Sequence, residues 1–280
     1  MYPTAVPNPT ASPVQCWVQA HPLLSYFGLA YLISWTLWLP AYCPPLKSLA
    51  LPFQHALGSF GPLLAGLLLS WRLQGKAGLT ELWKRMTRWR VGAGWYVLVL
   101  LGPLLLAIAA LGLEAALNKH PLQLTGLGLS PEFPGLGRVG FLLFTVLVYG
   151  YGEEVGWRGF ALPRLERSYG PRWSVLLLAL GWAGWHLPLF LYRPGMMQMG
   201  IGGAIGWLCS ILTGTALMSW LYRHTRGSLL IAALLHATLD LAFTGQTATV
   251  LATNVVGAVI TTLGIMAFWR LRPLPAQASF

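Results

Sequence analysis

The chain has 280 residues, 56% of them hydrophobic and only 9% charged, with a mean hydropathy of +0.61. A soluble domain carries roughly 25% charged residues, so this composition excludes a water-facing globule. The net charge of +11 does not signal nucleic-acid binding, because the basic residues gather in alternate connections between apolar stretches.

Only helices and closed barrels satisfy every backbone hydrogen bond in lipid, and a barrel would show short alternating segments that are missing here. The expected fold is therefore an all-α polytopic transmembrane bundle: one domain over 21–272, a flexible tail at 1–20 and a C-terminal tail at 273–280. The opening run MYPTAVPNPTASPVQ holds no Lys, no Arg and no apolar core, so it reads as a Pro/Thr-rich tail and not as a signal peptide. Eight transmembrane helices are predicted at 22–42, 53–72, 94–116, 138–158, 173–192, 200–222, 228–246 and 250–269. Val91 to Leu113, Pro194 to Tyr222 and Leu241 to Trp269 are free of charge, and each exceeds the roughly 20 residues that span a hydrocarbon core.

Arg72, Lys76, Lys84, Arg85, Arg88 and Arg90 crowd the second connection. Arg158, Arg164, Arg167 and Arg172 lie at or in the fourth, Arg223 and Arg226 in the sixth, and Arg270 and Arg272 follow the last helix. The other connections hold only Lys47, Lys119, Arg138 and Arg193. That asymmetry predicts both termini in the cytoplasm. The Gly-, Leu- and Pro-rich segment 117–137 reads as an external loop or re-entrant piece. Cys16, Cys43 and Cys209 have no spacing suited to a disulfide framework or a zinc ribbon.

Four of the seven acidic residues, Glu81, Glu114, Glu132 and Glu166, fall in connections or near helix ends, but Glu153, Glu154 and Asp240 are embedded in apolar sequence. So are His186 and His236, whereas His21, His55, His120 and His224 lie near helix ends or in loops. An ionisable group in the bilayer costs at least ~2.5 kcal/mol, so it is retained with a partner or beside a wet cavity. Residues four apart share a helix face, which pairs Glu154 with Arg158 and His236 with Asp240. Glu153, about 100° round the helix, is left for other work. His186 can approach from a third helix, so one pocket explains all five buried groups. Tyr149, Tyr151 and Trp157 read as packing around it.

Gly152-Glu153-Glu154-Val155-Gly156-Trp157-Arg158 resembles motif one, EExxxR, of the CPBP intramembrane proteases, which include the CAAX prenyl endopeptidases and bacteriocin-processing enzymes. The second motif, FxxxH, resembles Trp182 to His186, with Trp in place of Phe, and the third, HxxxN or HxxxD, matches His236 and Asp240. The resemblance covers about residues 140–245 and is to the bacterial branch. It implies an intramembrane endopeptidase in the bacterial cytoplasmic (inner) membrane. The implied substrate is a membrane-associated protein or peptide, lipidated where the host prenylates its proteins.

Carried over, the motifs make Glu153 and His186 the activators of water, with Glu154 and Arg158 beside them. His236 and Asp240 would stabilise the oxyanion or bind a metal. Asp240 is a departure, because an ionised carboxylate cannot donate to an oxyanion as Asn would. Two versions stay open: a metal-free glutamate-type hydrolase, and a Zn2+ site of His186, His236 and Asp240 with an open position for water. The competing functions are a transporter or proton relay, against which stands the lack of repeated motifs between halves, and a non-catalytic scaffold or immunity protein of the same fold.

Overall fold

In lipid the backbone must bond to itself, and among the described residues this chain does so with helices alone. The computed structural model describes residues 12–51, 53–247 and 249–272; the tail segments 1–11 and 273–280 lie outside them. The helices are α1 (Pro13–Ala20), α2 (Pro22–Tyr42), α3 (Gln54–Gly58), α4 (Phe60–Met86), α5 (Ala93–Asn118) and α6 (Gly137–Thr145). They continue as α7 (Tyr151–Glu154), α8 (Leu162–Trp185), α9 (Pro194–Met197), α10 (Ile201–His224), α11 (Leu229–Thr244) and α12 (Val250–Arg270). Two π-helical turns, Val146–Gly150 and Val155–Ala161, join α6, α7 and α8 into one helical stretch.

Among the described residues six stretches are long and apolar enough to cross a membrane: Pro22–Tyr42, Gln54–Met86, Ala93–Asn118, Pro134–Leu191, Ile201–His224 and Val250–Arg270. The chain is an all-α polytopic membrane bundle, but its helices are divided differently from the eight expected. The fourth and fifth expected helices run on as one stretch, because Arg164, Leu165, Glu166 and Arg167 between them are good helix formers despite their charge. The turn between them is confined to Gly170, whose φ of 74° a side chain would strain, followed by Pro171. The second expected helix likewise passes 72, turns at Gly75 (φ 61°) and resumes as helix to Met86. The seventh, α11, has only 16 residues. Its residues from Leu229 to Thr238 are almost all buried, so it is walled by protein instead of lipid. Within the tail expected over 1–20, helix already begins at Pro13. Ser12 and Gln15 form a capping box and Pro13 takes the first turn, so 13–20 is helical.

α2 packs on α4, α5 on α11, and α10 on α12 and α8. The main core joins Tyr26 and Trp38 of α2 to Trp157, Phe160 and Trp185. Large apolar side chains such as Leu32, Leu105, Ile205 and Val250 face outward, as a lipid-facing surface requires. The peripheral acidic residues find partners: Glu81 with Arg85 at 2.9 Å, Glu132 with Arg193 at 3.0 Å, Glu166 with Arg223 at 3.5 Å, and Glu114 with the Thr249 hydroxyl at 2.7 Å. Glu153, Glu154 and Asp240 remain for the interior.

Candidate active site

The glutamate pair sits on α7, between the two π-helical turns. Such turns are uncommon and cluster at functional sites, because widening the helix re-aims side chains. Small residues then let neighbouring backbone close in. A Cβ at Gly150 would stand 2.6 Å from the Ala233 carbonyl of α11, and one at Gly156 would stand 2.3 Å from the Pro62 carbonyl of α4. The segment is thus held against α4 on one side and α11 on the other. The Ser228 hydroxyl caps α11 through the Ile231 amide and donates to the Arg88 carbonyl at 2.7 Å, which fixes where His236 falls.

Glu154 and Arg158 form the expected pair, 2.8 Å apart, with both side chains fully buried. The same carboxylate oxygen, Oε1, also accepts from His236 Nδ1 at 2.7 Å. This bond was not foreseen, since helical spacing had paired His236 with Asp240. Asp240 Oδ2 stands 3.7 Å from His236 Nε2, an electrostatic neighbour but beyond hydrogen-bond reach. His236 therefore faces a carboxylate on each nitrogen.

Glu153 is held by indoles. Its Oε2 accepts from Trp182 Nε1 at 2.8 Å and, more weakly, from Trp157 Nε1 at 3.4 Å. Oε1 makes no hydrogen bond among the described residues. Trp157 is packing as well, edge-on to Tyr26 and Trp185. Trp182 links the whole constellation: its ring lies 5.5 Å from that of His186 and 5.8 Å from that of His236, and the Arg158 guanidinium stands 5.2 Å over it. His186 Nδ1 donates to the Trp182 carbonyl at 2.7 Å, since a carbonyl can only accept. In the neutral imidazole that leaves the lone pair on Nε2. Glu153, His186 and His236 thus meet around one indole.

Exposure is graded across the site. The Glu154 and Arg158 side chains are sealed at 0%, His236 shows 9%, and Asp240 30%. The site opens towards the Asp240 end of α11, where the Gln246 amide donates to the Leu129 carbonyl. At the Arg158 end Trp157, Arg158, Phe160 and Leu229 are fully buried. Beyond the open end lie Tyr149, whose ring is 6.0 Å from His55, and the hydrogen bond of 3.0 Å between His55 Nδ1 and Tyr192. His55 had read as a helix-end residue, and nothing in its sequence context distinguishes it.

The metal version asks His186, His236 and Asp240 to converge on one ion. Among the described residues no three His, Cys, Asp or Glu side chains are grouped so as to hold a metal. As arranged, these three side chains are not gathered around one ion position.

Buried carboxylates and imidazoles on three packed helices define a polar site inside a membrane bundle. Residues 135–242 match the family described as type II CAAX prenyl endopeptidase Rce1-like. A CAAX prenyl protease 2 from Methanococcus maripaludis is 28% identical over 104 residues, which is 36% of this chain and 38% of that protein's length. The chain is thus similar to that family over its central segment, covers 38% of the relative's length, and has Glu153, Glu154, Arg158, Trp182, His186, His236 and Asp240 all within the matched residues.

Proposed function

We propose that this chain is an intramembrane endopeptidase that hydrolyses a peptide bond in a membrane-associated protein or peptide. The observation that carries the reading is the meeting of Glu153, His186 and His236 around Trp182, next to a sealed Glu154–Arg158 pair. A structural ion pair accounts for Glu154 and Arg158 alone; it leaves unexplained why Glu153 is buried and why His186 meets it at Trp182.

Glu153 Oε1 takes a proton from water, with the lone pair of His186 Nε2 helping to orient that water. The resulting hydroxide adds to the scissile carbonyl carbon. The oxyanion is met by His236, which in its doubly protonated form donates through Nδ1 to Glu154 and through Nε2 to the substrate. Asp240, which cannot donate when ionised, keeps the His236 ring turned towards the open end. Glu153 then returns its proton to the leaving amine as the C–N bond breaks. Glu154 and Arg158 act through His236 and do not touch the reacting atoms.

The substrate reaches Glu153 from the Asp240 end, along or within the bilayer. The name of the relative points to a prenylated C-terminal peptide, and the bacterial-type motifs point to an unlipidated membrane peptide in a bacterial inner membrane. The test uses the purified full chain in liposomes, offered a farnesylated C-terminal peptide and an unprenylated membrane peptide, with fragments mapped by mass spectrometry. Cleavage is expected of at least one peptide, and is expected to persist after exhaustive chelation in protein shown metal-free by elemental analysis. Loss of cleavage on chelation with recovery on adding Zn2+ would replace this mechanism by the zinc version. Absence of cleavage of any membrane peptide would favour the scaffold reading.

A further inference from the structure

We propose that Trp182 is a positioning residue for the proposed hydrolysis: its indole N–H fixes Glu153 Oε2 so that Oε1 is the oxygen presented to water. The inference rests on the endopeptidase reading and deepens it. A carboxylate on a helix turns freely about its last torsion unless one oxygen is tied down, and here Oε2 is tied by Trp182 at 2.8 Å and Trp157 at 3.4 Å while Oε1 is not. A charge-assisted bond of 2.8 Å to a group only 5% exposed is a strong tie.

The two indoles do not contribute equally. Trp157 lies one helical turn from Glu153 and reaches it at the long limit of a hydrogen bond, with its ring committed to the packing of Tyr26, Phe27 and Trp185. Trp182 comes from a different segment of the chain. It brings the shorter bond together with contacts to His186, His236 and Arg158. One rigid ring therefore sets the distance between the base and both imidazoles. A phenylalanine, which the second family motif carries here, can supply the ring but not the donor.

The test is Trp182→Phe, which removes the N–H and keeps an aromatic, though smaller, ring in its place. In liposomes the variant is expected to lose roughly 10-fold in kcat with KM unchanged, the order of one hydrogen bond to a charged group. An unchanged kcat, or an effect confined to KM, would overturn the proposal. A second measurement needs no activity. In a 15N-indole spectrum of the detergent-solubilised chain, the N–H cross-peak that vanishes in Trp182→Phe belongs to Trp182. Glu153→Ala is expected to move that peak towards the position of an unbonded indole. A peak that stays in place would show that Trp182 does not hold Glu153. A wild-type chain without peptidase activity would end the endopeptidase reading and with it the catalytic role, while the cross-peak still decides the pairing.

Discussion

Glu153→Ala is expected to lower peptide hydrolysis by roughly 10²–10⁴-fold, the range for removing a positioned general acid–base group, while the protein folds and extracts as the wild type does. Stability should survive because Glu153 is not part of the Glu154–Arg158–His236 network: its partners are the N–H groups of Trp182 and Trp157. Those donors are left unpaired in the variant, which costs about 1–3 kcal/mol, so folding is checked alongside by size-exclusion profile and melting temperature. Glu153→Gln, which keeps an acceptor for both indoles, should fold as the wild type and be just as inactive. Retained hydrolysis in either folded variant would remove Glu153 from the mechanism and with it the reading of the whole site.

Arg158→Ala is expected to act in the opposite way, through stability first. The Arg158 and Glu154 side chains are fully buried and 2.8 Å apart, and breaking such a pair by removing one partner costs about 3–5 kcal/mol because the remaining charge has nowhere to go. The variant should extract in low yield and melt earlier than wild type. Replacing both members with apolar residues of similar size, Glu154→Leu with Arg158→Met, should recover most of that loss. It should not recover hydrolysis, since His236 Nδ1 would lose the carboxylate that accepts from it at 2.7 Å. A double variant that is both stable and active would show that the pair has no part in positioning His236.

The outcome follows from which contacts are local. Glu154 and Arg158 were readable together because four-residue spacing on an apolar helix leaves each charge one nearby partner. The same logic paired His236 with Asp240 and was only half informative. His236 turns instead to Glu154 on another helix, and no spacing rule anticipates a contact between residues 82 positions apart. Trp182 was visible as a departure from a Phe-bearing motif, yet its donor role needed the fold that brings Glu153 within 2.8 Å.

The bundle itself was readable from charge-free lengths, but its helix ends were less so. The expected helix ends at 72 and 158 fall where charges begin, whereas the chain continues as helix until Gly75 and Gly170 turn it. The short α11 carried full-length hydropathy in the sequence because its flanks are apolar too. Which end of the site is sealed was not legible either. Charge asymmetry says which loops are basic, and the buried rings of Trp157 and Phe160 decide which end is closed.

The central claim is spatial, and cysteine pairs test it directly. In a chain with Cys16, Cys43 and Cys209 replaced, cysteines are placed at 182 and 236 in one variant and at 153 and 182 in another, both in liposomes. A short bifunctional thiol reagent is expected to bridge each pair in protein that still elutes as a folded monodisperse species, while a cysteine pair on opposite outer faces of the bundle stays unbridged. Failure of both interior pairs to cross-link in folded protein, under conditions where their thiols are shown to react singly, would contradict the account.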